Sequence, residues 1–253
     1  MKKCKLIVVV CLFFGLAYSQ EKDDPIAFDK ALLISPIISV QIPGADFAKR
    51  FGLAYQFGLG LDYKFGRNWL IGAEGGFLFS TNVKEKEQIA NTLTGTGLVI
   101  TTDGFLDNVN LNLRGAVVKL NAGKSFFFKA AHPSNGVLLK FGLGYLSHKI
   151  LIDVNKKNTP QLTGDYAKGY DRFSQGVLLS QYIGLIRVQK GKFVNLSIGF
   201  ELTEAITKNS RPYDFYLGGK LNETRIDLMY GIKFSWHIPV FLGESMKNQY
   251  YYY

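Results

Sequence analysis

The sequence predicts an all-β fold, an eight-stranded antiparallel up-and-down transmembrane β-barrel. Three observations lead there. Stretches of strict two-residue alternation recur along the chain, each with one large apolar face and one small or polar face. The links between these stretches alternate in length. The first twenty residues read as an export signal, and no later apolar run is long enough for a membrane helix.

The alternation is clearest from Phe51 to Phe65. The odd positions are Phe51, Leu53, Tyr55, Phe57, Leu59, Leu61, Tyr63 and Phe65. The even positions are Gly52, Ala54, Gln56, Gly58, Gly60, Asp62 and Lys64. Such a strand is roughly 50 Å long, or about 38 Å in height at a tilt of ~40°, which clears a hydrocarbon core. The same pattern runs from Arg225 to Ile238. Eight segments follow from it: 31–41, 51–65, 69–81, 107–120, 136–152, 174–189, 192–205 and 222–238. Pro36 interrupts the first, and the fourth slips phase near Arg114-Gly115, which predicts a bulge.

Three links are short or carry turn chemistry: Gly66-Arg67-Asn68, Lys190-Gly191, and one ending in Pro133-Ser134-Asn135-Gly136. The others are 42–50, 82–106, 153–173 and 206–221. Short turns on one side and long loops on the other is the plan of a bacterial outer-membrane barrel, with the turns periplasmic. An even strand count returns both termini to that side. Thr102-Asp103-Gly104 is a hairpin turn signal, so the third and fourth strands are expected to project beyond the membrane.

A soluble barrel alternates too, so orientation has to be argued. With the aromatic and leucine face inward, one strand alone would overfill a lumen that eight strands leave barely wide enough for side chains. Large residues therefore face lipid. Tyr63, Phe65, Trp69 and Trp236 fall on that face at the periplasmic ends of their strands, where an interfacial aromatic girdle belongs.

Residues 1–19 form the signal peptide: Lys2, Lys3 and Lys5, then apolar Leu6 to Leu16, then Ala17-Tyr18-Ser19, with Gln20 as the mature start. The remaining divisions are a periplasmic segment 20–30, the barrel 31–241 and a periplasmic tail 242–253. Cys4 and Cys11 both leave with the signal, which removes disulfides, thiolate catalysis and cysteine–metal sites. Cleavage takes three lysines and no acids, moving the net charge from +10 to +7. An exported protein meets little nucleic acid, so outer-membrane lipid phosphates are the expected acidic neighbours.

The chain resembles the small OmpA/OmpW-type outer-membrane barrels, particularly uncharacterised ones of Bacteroidota. Met229-Tyr230-Gly231-Ile232-Lys233-Phe234-Ser235-Trp236 resembles the terminal-strand signal read by the barrel assembly machinery, with Met229 in place of the usual polar residue. The resemblance implies that machinery as a partner during insertion. It also implies, as one alternative, passage of small or apolar solutes.

Candidate chemistry is sparse. Asp62, Lys64, Glu74, Arg114, Lys140, Glu201, Arg225, Asp227 and Lys233 are expected inside the lumen, as a paired polar plug rather than a pore. His148 is expected inward near the outer end of the fifth strand. Its neighbour Ser147 must face outward, so a Ser–His couple does not form, and a lipid-modifying enzyme is the lesser alternative. The pairs Gly58/Gly60, Gly95/Gly97 and Gly142/Gly144 open no helix and are not phosphate cradles; no cofactor or metal site is expected. The outer loops offer Tyr166, Tyr170, Arg172, Arg211, Tyr213, Phe215 and Tyr216, residue types favoured at interfaces. The tail Gln249 to Tyr253 could dock a partner. These features predict a non-enzymatic barrel, an accessory subunit of a secretion or barrel-assembly complex that contacts other envelope proteins.

Overall fold

The computed structural model describes residues 30–66, 68–127, 135–155, 158–188 and 194–241. The signal peptide, the segment 20–29, the tail 242–253 and the turn residues Arg67, Pro133, Ser134, Lys190 and Gly191 lie outside the described residues.

The strands are β1 (Ala31–Gly44), β2 (Ala54–Phe65), β3 (Trp69–Ser80), β4 (Val99–Ile100), β5 (Leu106–Asp107), β6 (Asn110–Phe127), β7 (Asn135–Asp153), β8 (Ser174–Arg187), β9 (Leu196–Asn209), β10 (Thr224–Trp236) and β11 (Ile238–Phe241). A short helix, α1 (Ala45–Arg50), joins β1 to β2. Apart from the small β4–β5 hairpin, every strand pairs antiparallel with its neighbours, and β1 closes the ring against β10.

β10 and β11 are one stave. Ile37 pairs with Ser235 and Ile34 with Ile238 in a single register. The break falls at His237, beside the point where Pro36 of β1, opposite Trp236 in this register, has no N–H to offer the ladder. His237 donates its own N–H to Asn195 O at 2.7 Å on the other side. Its ring is hydrogen-bonded to Ser35 Oγ at 2.7 Å and Ser197 Oγ at 2.9 Å. The ring therefore has eight staves.

Tracing Cα partners round the ring from Ile34 passes Leu61, Ala73, Leu120, Leu143, Leu179, Glu204 and Leu228 and returns at Gly44, ten residues along β1. Eight strands with that stagger tilt strongly and enclose a lumen only wide enough for side chains. The faces divide as the alternation predicts along the paired strands, but Phe51, expected outward at the head of the second segment, is fully buried, and β2 begins only at Ala54. Phe77 is 74% exposed and Leu120 69%, whereas Asp62 and Glu201 are each 2% exposed. An outer belt of leucine, isoleucine and phenylalanine is unfavourable in water at about 25 cal/mol per Å² and favourable in lipid.

Two further expectations fail. The fourth segment carries no bulge: β6 pairs with β3 from Leu113 to Lys124 and with β7 along its whole length without a slip. Its odd residues point inward throughout. Near the turns these are Lys119, Asn121 and Ser125; near the long loops they are Leu113 and Val117. The inward face of β6 changes from polar to apolar along its height, and that change imitates a phase shift. Arg114 therefore lies on the outside, exposed, with its guanidinium donating to Leu113 O at 2.9 Å, and Lys119 is the inward cation of this strand.

The second failure concerns Thr102-Asp103-Gly104. The turn forms, with Gly104 at φ 79°, but it closes the separate hairpin β4–β5 and does not extend the barrel strands. Gly104 N–H donates to Thr101 O at 3.0 Å across it.

Candidate functional site

The interior is filled in two storeys. In the turn-end half, four charges meet. Lys233 Nζ contacts the two Glu74 carboxylate oxygens at 2.5 and 2.6 Å and Glu201 at 3.1 Å. Lys119 Nζ contacts Glu201 at 2.5 Å and Glu74 at 3.4 Å. These residues come from β3, β6, β9 and β10, so one neutral ring of two lysines and two glutamates spans the bore. Asn121 adds a bond to Glu74 at 3.3 Å. Nearer the turns, Lys140 pairs with Asp62 at 2.5 Å, and Lys64 sits 5.2 Å from the Phe127 ring centroid. Buried charges persist only when compensated in this way.

The loop-end half holds an apolar cluster beside a set of buried polar groups. Ala54, Leu78, Leu113, Val117, Leu146, Leu178 and Met229 line it, and Phe47 and Phe51 enter from above. Both phenylalanines are fully buried. α1 carries Phe47, and Phe51 follows as its extended C-cap, bridged to Val83; the helix charges suit its dipole, with Asp46 in the first turn and Lys49 and Arg50 in the last. The helix therefore acts as a stopper whose underside is aromatic.

His148 lies beneath that stopper. Phe47 and Phe51 meet its ring edge-on at 5.3 and 5.6 Å between centroids. His148 Nε2 is 2.9 Å from Asp227 Oδ2, which also accepts from Thr207 Oγ1 at 2.6 Å. Ser147 faces the other side of the strand, its hydroxyl on Ala116 O at 3.5 Å. Ser174 is the inward cross-strand partner of His148, but its hydroxyl donates to Arg172 O at 3.1 Å. Arg225 reaches Ser174 Oγ and Glu223, each at 3.4 Å. The His–Asp–Thr cluster is wholly buried, which suits a structural tie between β7, β9 and β10.

Above the barrel, one ionic chain links all four long loops. Arg50 Nε, after β1, donates to Glu85 Oε2 at 2.7 Å, after β3. The other Glu85 oxygen accepts from Arg172 Nη1, before β8. Arg172 Nε donates to Asp214 Oδ2 at 2.9 Å, between β9 and β10. Arg211 grips Asp171 through two bonds, at 2.8 and 2.5 Å. Asn158 donates to Asp103 at 2.7 Å, Gln161 to Ile100 O at 2.8 Å and Phe215 N–H to Gly169 O at 3.0 Å. Burial alone would push the Glu85 carboxyl up, but the Arg50 charge and hydrogen bond outweigh it and hold Glu85 below the usual carboxylate range. Burial likewise opposes the Arg172 charge, yet Glu85 and Asp214 raise its basicity. Arg172 sits at φ 45°, a left-handed backbone that costs of order 1 kcal/mol and is held by these ties.

The loop residues expected to anchor a partner divide accordingly. Tyr170 and Arg172 are buried within the cap, which corrects their placement as surface anchors: the first packs in the apolar cluster and the second is an ionic rivet. Arg211 is half-buried against Asp171. Tyr166, Tyr213, Phe215 and Tyr216 are exposed, as is Leu217 beside them. Asp214 shapes their loop by accepting from Tyr216 N–H at 2.9 Å and Leu217 N–H at 3.1 Å. Phe215 packs on Tyr170 at 5.2 Å and leans on the bare backbone of Gly169, where a Cβ would strike its ring. Tyr63, Phe65, Trp69 and Trp236 lie on the outer face at the turn end, and Lys124 stands 5.5 Å over the Trp69 ring. Among the described residues no group of three or more acidic or histidine side chains is placed to hold a metal ion.

No protein-family model matches the chain, and no curated protein matches it. Solved structures to which it is similar include Neisserial surface protein A, at 11% identity and a TM-score of 0.41 over 81% of this chain and 97% of that one. Another is Ail, the attachment invasion locus protein of Yersinia pestis, in complex with a heparin analogue, at 8% identity and 0.42 over 83% and 99%. A third is the outer membrane protein OprG of Pseudomonas aeruginosa, at 12% identity and 0.34 over 83% and 96%. Nothing about activity follows from likenesses of this size.

Proposed function

We propose that this chain is exported, inserted in a bacterial outer membrane, and serves there as a non-enzymatic docking barrel, an accessory subunit of a larger envelope assembly such as a secretion or barrel-assembly machine. The observation that carries this reading is the joining of all four long loops through Arg50, Glu85, Arg172 and Asp214 over a filled lumen. A cap ordered in advance loses little entropy on binding. It presents Tyr166, Tyr213, Tyr216 and Leu217 to the cell exterior, and tyrosine is a favoured interface anchor. The ionic ring and the Phe47/Phe51 stopper block the bore, which argues against solute passage through it. The buried His148 cluster has no route to a lipid substrate, which argues against the lipid-modifying alternative.

The test is purification of a chromosomally tagged protein in mild detergent, alongside planar-bilayer recordings. A stoichiometric set of envelope proteins with no step conductance is the expected result. A protein that purifies alone and conducts in discrete steps would overturn the reading.

A further inference from the structure

Arg114, displaced from the lumen, stands on the lipid-facing wall. Its direct cross-strand partner on β7 is Lys149. Alternation puts both side chains on the outer face near the loop end, and Arg114 is exposed. Like charges directly opposite each other across two strands repel. The outward positions flanking the pair on its own strands are Asn112, Ala116, Ser147 and Leu151, and none is acidic. On the remaining side Arg114 pairs with Phe79, which stacks on Tyr55 at 5.7 Å and Phe57 at 5.4 Å. These outward aromatics form a second girdle at the opposite end of the wall from Trp69, so the two cations sit where the apolar belt gives way to headgroups.

We propose that Arg114 and Lys149 form a binding site for the phosphate monoester of an outer-leaflet lipid. The phosphate relieves the repulsion between the cations, taking a charge-assisted bond from the guanidinium and another from the ammonium. The acyl chains lie along the aromatic and aliphatic wall below, beside Tyr145 and Val118, which are outward and exposed. The site rests on the outer-membrane placement argued above. It needs no partner protein.

The test uses the mature full-length protein in phosphatidylcholine vesicles containing a minor fraction of phosphatidic acid, with native mass spectrometry of the lipid retained on release. The wild type retains phosphatidic acid in preference to phosphatidylcholine. R114Q and K149Q each reduce that retention about fivefold, as expected for one cation near a charged surface. Lys208, outward near the loop end of β9, supplies a control of equal charge, and K208Q leaves retention unchanged. Excess inorganic phosphate does not displace the lipid; displacement would overturn the lipid assignment. Wild-type retention in the double variant, or an equal loss in K208Q, would overturn the site. A wild type that fails to insert into vesicles would overturn the membrane placement, and the site with it.

Discussion

Replacing Glu74 by Gln tests the ionic ring most sharply. The ring holds two lysines and two glutamates, so it is neutral as it stands. Glu74→Gln leaves Lys119 and Lys233 with Glu201 alone, one positive charge uncompensated among side chains that are at most 6% exposed. Stranding a buried charge costs about 3–5 kcal/mol. The double change Glu74→Gln, Lys233→Met restores neutrality and leaves the 2.5 Å Lys119–Glu201 pair intact. It should recover most of the loss, roughly 2–3 kcal/mol of it. Urea unfolding in vesicles, followed by tryptophan fluorescence and by the electrophoretic shift of folded barrels, measures both variants against the wild type. A single variant within about 0.5 kcal/mol of wild type would refute the reasoning, since that is the range of uninvolved surface sites. So would a double variant no more stable than the single.

Other predictions concern the cap. Phe47→Ala removes a fully buried ring from the mouth and should cost about 3 kcal/mol or more, with hydrogen exchange rising first in residues 45–53. Glu85 has its folded pKa held below its ordinary 4.5, so its contribution is complete above that value and is lost as pH falls through the lower one. The cap should therefore resist proteolysis at neutral pH and loosen only in acid; Glu85→Gln should loosen it at neutral pH and abolish the acid transition. Gly169→Val drives a side chain into the Phe215 ring and should weaken partner capture while leaving the barrel's urea midpoint within about 0.5 kcal/mol of wild type.

The barrel was legible because strands in lipid invert the usual pattern, and period-two alternation survives wherever one face is uniformly large. β2 and β10 show this, and their inward residues Asp62, Lys233 and Asp227 are where alternation puts them. β6 misled because its inward face turns from Lys119 and Asn121 to Val117 and Leu113 where it meets the apolar cluster under the mouth. Local alternation cannot reveal a change of polarity along one strand's inward face. Continuing odd parity back from Ser125 would have placed Lys119 inside and Arg114 outside. The stopper was illegible for another reason: Phe47 lies in a helix of six residues, too short for a periodic signal, and Phe51 is the extended residue that caps it. Tyr170 and Tyr216 belong to one residue type at similar places in long loops. Tyr170 packs in the apolar cluster against Phe215 while Tyr216 stays exposed, a difference set by contacts between loops rather than by either local sequence.

The claim that the cap is a docking surface is tested most directly by photo-crosslinking in living cells. A photoreactive residue is placed at Tyr213 or Tyr216, exposed on the cap, and at Tyr230, exposed on the lipid-facing wall. A discrete protein adduct of constant size from both cap positions, with none from Tyr230, is the predicted result. No adduct from the cap, or the same adduct from all three positions, would contradict it.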